Sequence, residues 1–202
     1  SGEPLSYILG TADFCGFEFD VDSRVLIPRP ESENIVEIVT KALKGAASPR
    51  CLEVGVGSGC IAISLLLKVP NLTMVATDIS LDALELCRHN AEKHGVAERL
   101  ALVETSVFDT ITAQTFDWIV SNPPYIAEDD QRVADDVRRF EPAVALFARS
   151  NGLAVIEEIA GGAKRLLNER GRVIVEHGDG QSSAVQRLFT KHGFNACAHP
   201  DV

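Results

Sequence analysis

The sequence predicts an α/β fold: a doubly wound, mostly parallel sheet preceded by a small β-hairpin and a helix. Two observations carry this reading. From residue 50 onward, short apolar runs alternate with amphipathic stretches, and strands that read as continuous apolar runs belong to sheets covered by helices on both faces. The first such run, Cys51–Val54, leads into Gly55-Val56-Gly57-Ser58-Gly59 and then a helical segment, the strand–glycine loop–helix unit of ligand-binding α/β domains. The chain has 202 residues, 46% of them hydrophobic and 24% charged, which suits one ordinary globular domain and excludes a disordered chain.

Each element follows from local pattern. Phe14, Phe17, Phe19 and Val21 around Gly16 predict a hairpin. Pro28 and Pro30 make Ile27-Pro28-Arg29-Pro30-Glu31 a rigid turn, because each ring fixes its own φ and biases its predecessor to extended backbone. Glu31–Leu43 then reads as an amphipathic helix with Ile35, Val36, Ile38 and Val39 as its apolar stripe. After the first strand, Cys60–Lys68 is a helix and Leu72–Thr77 a second strand. Ser80 caps the helix Leu81–His94, in which Leu81, Leu84 and Ala91 share a face. Strands follow at Leu100–Val103 and Phe116–Val120, then a helix at Leu153–Leu167, a strand at Arg172–Glu176, a helix at Ser182–His192 and a last strand near Phe194–Ala198. The hairpin and first helix (1–48) are too small to fold alone and are expected to pack on the domain formed by 49–202.

Charge and cysteine usage narrow the function. Nineteen Lys and Arg against 29 Asp and Glu give a net charge of −10. A protein gripping naked nucleic acid needs a basic surface to displace counterions, so direct nucleic-acid binding is not expected. No apolar run approaches the ~18 residues that cross a bilayer, and the first residues carry no signal-peptide pattern. The five cysteines, Cys15, Cys51, Cys60, Cys87 and Cys197, lack Cys-x-x-Cys spacing and read as reduced thiols of a cytoplasmic protein. His89 and His94 miss same-face helical spacing by one residue, so no metal site is expected.

Two motifs carry chemistry. Glycines at 55, 57 and 59 let the backbone turn tightly and approach a ligand, whose polar parts would face amides at the helix N-terminus. A dinucleotide loop wants Gly-x-Gly-x-x-Gly, and its sixth position here is Cys60; Glu53 through Gly59 instead matches Glu-x-Gly-x-Gly-x-Gly at every position, the form used for nucleoside methyl donors. Asp78 ends the second strand roughly 20 residues on, where an acid accepts hydrogen bonds from ribose hydroxyls. The second motif is Ser121-Asn122-Pro123-Pro124-Tyr125 after the fourth strand, which lies at the switch point if the first and fourth strands are neighbours. Asn122 offers a side-chain carbonyl and Pro123 a main-chain one. Two fixed acceptors and an aromatic wall suit a planar –NH2 group.

With Gly-Glu-Pro-Leu-x-Tyr-Ile-Leu-Gly (2–10), Val-Leu-Ile-Pro-Arg-Pro-Glu-x-Glu (25–33), Phe140-Glu141-Pro142, Leu146 and Gly152-Leu153, the chain resembles the HemK/PrmC family of protein-glutamine N5-methyltransferases acting on peptide chain release factors. Asn-Pro-Pro-Tyr alone is shared with DNA adenine methyltransferases; Pro-Arg-Pro-Glu is far more specific. The resemblance implies S-adenosylmethionine over Gly55, Val56, Gly57, Ser58 and Gly59, with Asp78 at the ribose, Ile79 also lining the donor site, Val107 at the adenine and Asn122 beside the donor. It also implies the substrate glutamine at Asn122, Pro123, Pro124 and Tyr125, with Asn122, Pro123 and Tyr125 as catalytic residues. The position before Val107 is usually acidic in the family and is Ser106 here. The family's N-terminal helical domain and final strand would lie before residue 1 and beyond Pro200-Asp201-Val202.

The implied reaction moves a sulfonium methyl to a carboxamide nitrogen, with the release factor as protein partner and no membrane. Arg29 and Glu31 are candidate pocket-wall or gating residues. The rivals are a glutamine methyltransferase of a ribosomal protein, a DNA adenine methyltransferase acting on a flipped base, a nicotinamide-dependent oxidoreductase and a non-catalytic nucleotide-binding module. The sequence does not decide the oligomeric state.

Overall fold

In the computed structural model, which describes residues 2–112 and 114–199, a short helix α1 (Leu5–Leu9) precedes a hairpin of β1 (Thr11–Phe14) and β2 (Phe17–Asp20). Cys15 and Gly16 turn it with φ of 54° and 82°, the doubly positive pair whose twist matches the flanking strands. A 3-10 turn at Pro30–Ser32 leads into α2 (Glu33–Ala42). The alternating region follows as β3 (Arg50–Val54), α3 (Cys60–Lys68), β4 (Thr73–Asp78), α4 (Leu81–Lys93), β5 (Leu100–Glu104) and β6 (Phe116–Ser121). Beyond it come β7 (Ile126–Ala127), α5 (Asp135–Phe140), α6 (Ala143–Leu146), β8 (Phe147–Ala148), α7 (Ala154–Gly162), β9 (Leu167–Val175) and α8 (Ser182–Lys191).

The main sheet runs β5-β4-β3-β6-β9, and every neighbouring pair is parallel. The chain winds outward from β3 to β5 and then returns to β6 on the other side of β3, so the switch point lies between β3 and β6. Because side chains alternate along a strand, Cys51, Met74, Ala76, Trp118 and Val120 enter one core with α2, α3 and α4. Leu52, Val54, Val75 and Ile119 enter a second core with α7 and α8. The hairpin's Phe14 and Phe19 belong to the first core.

Register is what builds the site. Val54 pairs with Thr77 on one side and Ser121 on the other, and Ser121 pairs with Val175. The four strands therefore end level, and Gly55, Asp78, Asn122 and Glu176 stand side by side along the carboxyl edge of the sheet.

Several sequence expectations are corrected. Leu81 does not share the buried face of α4: it is 57% exposed, while Ala83, Leu84, Leu86, Cys87 and Ala91 are buried. The helix expected over 153–167 gives way at Gly162 to a 3-10 turn at Ala163–Leu166. The following strand starts at Leu167 rather than Arg172 because a register shift opposite Phe116 and Trp118 carries β9 through Gly171. A Cβ at Gly171 would lie 2.9 Å from the Phe116 carbonyl, so only glycine permits that approach. The stretch Phe194–Ala198 is not a strand. The Phe194 N–H closes the end of α8 on the Phe189 carbonyl, Phe194 and Ala196 pack on the second core, and no described strand lies alongside to complete a ladder. The further final strand that the resemblance implies would lie beyond residue 202, outside the described residues.

Candidate active site

The glycine loop leaves β3 with its amides already engaged. The N–H groups of Gly55 and Val56 both donate to the Thr77 carbonyl at 2.8 and 3.0 Å, and that of Gly59 donates to Val56. The Gly57 N–H donates to Asp78 Oδ2 at 3.0 Å. These four amides hold the loop's own shape. What Gly55 and Gly57 offer is space, since each has positive φ and a Cβ there would meet no heavy atom within 4 Å. Gly59 has a packing role, because a Cβ there would lie 2.7 Å from Cys87 Sγ and 2.8 Å from Ile63 Cδ1. Fully buried Asn90 on α4 donates to the Ser58 and Asp20 carbonyls and accepts from the Asp20 N–H, tying the loop to the hairpin.

Two carboxylates border this loop. Glu53, 1% exposed, has an Oε2 without a hydrogen-bond partner. Burial pushes its carboxyl well above the usual carboxylate range; the Ala62 N–H partly offsets this and the Asp78 charge adds to it. Asp78 is half-buried, its Oδ1 accepting from the Ser80 N–H at 3.0 Å, while Ser80 Oγ accepts from the Ala83 N–H and caps α4. Ile79, 59% exposed, follows at the rim. Across from them Val107 sits at φ 47°, costly for a β-branched residue. The Thr77 hydroxyl donates to its carbonyl at 3.0 Å and helps hold it there.

On the β6 side, Asn122 Nδ2 donates to Ser32 Oγ at 2.8 Å, and Ser32 Oγ donates to Glu176 Oε2 at 2.6 Å. The Tyr125 hydroxyl donates to Glu176 Oε1 at 3.2 Å, and burial followed by the Glu176 charge pushes its pKa up to about 12. Arg29 is paired at 2.6 Å with Glu141, which also accepts from the Ile27 N–H. This pair fastens the Pro-Arg-Pro-Glu segment to the end of α5. Glu31, by contrast, is exposed and borders a separate hollow near Cys15 and Lys68.

A cavity of about 310 Å³ joins the two sides. Gly55, Val56, Gly57, Ser58, Glu53, Asp78, Ile79, Ser106, Val107, Arg29, Ser32, Asn122 and Pro124 line it. Gly59, Pro123 and Tyr125 are not among its lining residues: Gly59 faces α3 and α4, Pro123 is buried, and Tyr125 lies against Gly178 and the second core. Among the described residues none donates to the Pro123 carbonyl. Sequence reasoning did not single out Ser32 or Glu176, and it named Glu141 only within the Phe140-Glu141-Pro142 motif, with no role. The signal for Glu176 was its place after a strand adjoining the Asn-Pro-Pro-Tyr strand, since ligand sites gather at carboxyl ends beside a switch point.

Among the described residues no group of three or more His, Cys, Asp or Glu is placed for a metal ion. His89 and His94 instead bond Asp20 and the Glu18 carbonyl, joining α4 to β2. Cys51 and Cys87 are buried, Cys15 and Cys60 half-buried and Cys197 exposed, all as free thiols. No helix among the described residues is long and apolar enough to cross a membrane.

A glycine loop and an Asn-Pro-Pro-Tyr corner facing one cavity across the switch point define the class, a methyltransferase domain. The methyltransferase small domain model matches residues 14–169. A bifunctional methyltransferase of Rickettsia bellii is 40% identical over 95% of this chain, which spans 39% of that relative. The release factor glutamine methyltransferase of Geobacter sulfurreducens is 43% identical over 96% of this chain and 68% of its own length. A methyltransferase structure from Pyrococcus furiosus has the same fold, with TM-score 0.63 and 20% identity over 89% of this chain and 79% of that one. The chain belongs to the methyltransferase small domain family, in its HemK/PrmC branch. It spans about two fifths of the length of the bifunctional relatives.

The cavity's chemistry fits S-adenosylmethionine, the cofactor of such domains. A pyrophosphate needs free amides at the loop; here the amides of Gly55, Val56, Gly57 and Gly59 are engaged within the protein, and the carboxylates of Glu53 and Asp78 border the loop. An orphaned buried carboxyl oxygen such as Glu53 Oε2 instead calls for a cation or a donor.

Proposed function

We propose that the chain transfers a methyl group from S-adenosylmethionine to the side-chain amide nitrogen of a glutamine in a peptide chain release factor. The observation that carries this is the level ending of β3 and β6, which puts Gly55 and Asn122 on adjacent strands at the wall of one cavity. Glu53 and Asp78 would hold the donor's cationic and ribose parts, Ile79 and Val107 its base, and Gly55 and Gly57 would leave room for it. When bound, the donor supplies an electrophilic methyl on a sulfonium sulfur.

An amide nitrogen is a weak nucleophile because its lone pair is shared with the carbonyl. Asn122 Oδ1 and the Pro123 carbonyl would each accept one of its two N–H groups, fixing its position and favouring the positive charge that grows there. The N–C bond forms as the C–S bond breaks, and the amide nitrogen then releases a proton, so no strong base is needed. Pro124 walls the entrance, and Tyr125 braces the corner from behind through Glu176. The thiols of Cys51, Cys60 and Cys87, all held protonated chiefly by burial, suit an enzyme of the reducing cytoplasm.

The test is incubation of the chain with methyl-labelled donor and, in parallel reactions, a glutamine-containing release factor, ribosomal proteins and duplex DNA, followed by tandem mass spectrometry. Label on a glutamine side-chain nitrogen is expected. Label confined to a ribosomal protein or to DNA adenine would overturn the reading.

A further inference from the structure

The Asn122 amide has two nearly isosteric orientations, and only one presents its carbonyl to a substrate amide. The neighbouring hydrogen bonds distinguish them. Glu176 follows Val175, the partner of Ser121, and its N–H donates to the Ser121 carbonyl at 3.0 Å, so Glu176 and Asn122 leave adjacent strands together. Glu176 accepts at both carboxyl oxygens, from Ser32 at Oε2 and from Tyr125 at Oε1. Ser32, 2% exposed, has a single hydroxyl hydrogen, and it is spent on Glu176 at 2.6 Å. Toward Asn122, 2.8 Å away, Ser32 Oγ can then only accept. The group meeting it must be the Asn122 –NH2, which leaves Oδ1 as the free end.

We propose that Glu176 is a positioning residue for the methyl transfer: through the Ser32 hydroxyl it fixes the Asn122 amide with its carbonyl oxygen toward the substrate nitrogen. The same carboxylate receives the Tyr125 hydroxyl at 3.2 Å, so one acid braces both polar ends of the Asn-Pro-Pro-Tyr corner. The direction of the chain is set by the acid. A glutamine in place of Glu176 can offer an N–H to Ser32, whose hydroxyl is then free to donate to Asn122 Oδ1. That reversal turns the Asn122 –NH2 toward the substrate –NH2, donor against donor, and the acceptor is lost without any change in the shape of the cavity. This inference rests on the amide-methylation reading above.

The full chain is assayed with S-adenosylmethionine and a glutamine-containing release-factor fragment, measuring kcat, KM and calorimetric donor affinity. Glu176→Gln should lower kcat about 10- to 100-fold, approaching the effect of deleting a preorganised hydrogen-bond partner outright. Donor affinity and thermal midpoint should stay near those of the parent, because neither the glycine loop nor the core is touched. Ser32→Ala should give the same kinetic signature from the other side of the link, and Ser32→Thr, which keeps the hydroxyl, should recover most of the rate. Adding Glu176→Gln to Asn122→Ala should cost almost nothing further, since the orienting group then has nothing to orient. A Glu176→Gln kcat within about threefold of the parent, or an effect that adds in full to Asn122→Ala, would overturn the proposal. If the parent transfers no methyl to the fragment, the functional reading fails. If it does so and Glu176→Gln is silent, only the positioning role fails.

Discussion

Replacing Glu53 by glutamine separates the cost of a buried carboxyl from its use. The substitution conserves shape, and the position is 1% exposed with an unpartnered Oε2. Burial raises the carboxyl pKa in the folded, unliganded protein, while in the unfolded chain it titrates in the ordinary range. In the window above that range and below the raised value, the folded state holds a proton that the unfolded state has released. Stability then falls as pH rises, by about 1.4 kcal/mol per pH unit. Glutamine carries no such slope. For a chain of this size that difference is about 3–6 °C in thermal midpoint per pH unit. Midpoints of parent and Glu53→Gln are therefore measured without ligand from pH 5 upward, and the variant is expected to gain on the parent as pH rises through that window. Calorimetry with S-adenosylmethionine should show the opposite sign, an affinity loss of about 10- to 150-fold, the equivalent of a hydrogen bond to a charged group at roughly 1.5–3 kcal/mol. In the parent, donor binding should also release up to one proton, read from the dependence of the heat on buffer ionisation enthalpy. Parallel midpoint curves for the two proteins, with equal donor affinity, would refute the role given to Glu53.

Asp78→Ala should weaken donor binding by about 1.5–3 kcal/mol and loosen the glycine loop, because Asp78 also accepts from the Gly57 N–H; unchanged affinity by calorimetry would remove the ribose assignment. Gly59→Ala should destabilise the fold more than Gly57→Ala, since both positions have positive φ but only at 59 would the new Cβ collide, with Cys87 and Ile63; denaturant midpoints for the pair check the order. Arg29→Ala should cost roughly 1–3 kcal/mol by leaving the buried Glu141 Oε1 without its cation, the Glu141 side chain being 2% exposed and its Oε2 still held by the Ile27 N–H; partial recovery in Arg29→Met with Glu141→Leu, read in the same denaturation assay, would identify desolvation as the cause.

What the sequence disclosed was what is local along the chain. Gly55, Gly57, Asp78 and Asn122 each stand within three residues of the end of an apolar run, so strand ends and motif could be read together. The parallel sheet followed from the same alternation. The bonds that complete the corner span large separations: 144 residues from Ser32 to Glu176, 90 from Ser32 to Asn122 and 112 from Arg29 to Glu141. No periodicity reports such pairs. Leu81 misled because its apolar character fits the helical stripe while its place in the first turn leaves it at the rim, beside exposed Ile79. Gly171 lies just before the strand expected at Arg172–Glu176, yet a register shift against β6 absorbs it into β9. Phe194–Ala198 has strand-like character but no ladder partner, and pairing cannot be read from one segment.

The most direct test of the central claim is the single-turnover rate of glutamine methylation in a release-factor fragment at saturating donor, for the parent chain and Asn122→Ala. Asn122 stands in a loop beyond β6 and carries little packing, so the variant should fold and bind donor normally. Losing one of two acceptors for the substrate nitrogen should slow transfer about 100- to 1000-fold, the scale of deleting one oxyanion-hole donor. A variant that keeps more than about a tenth of the parent rate, far short of that loss, would contradict the assignment of Asn122 as the residue that holds the amide.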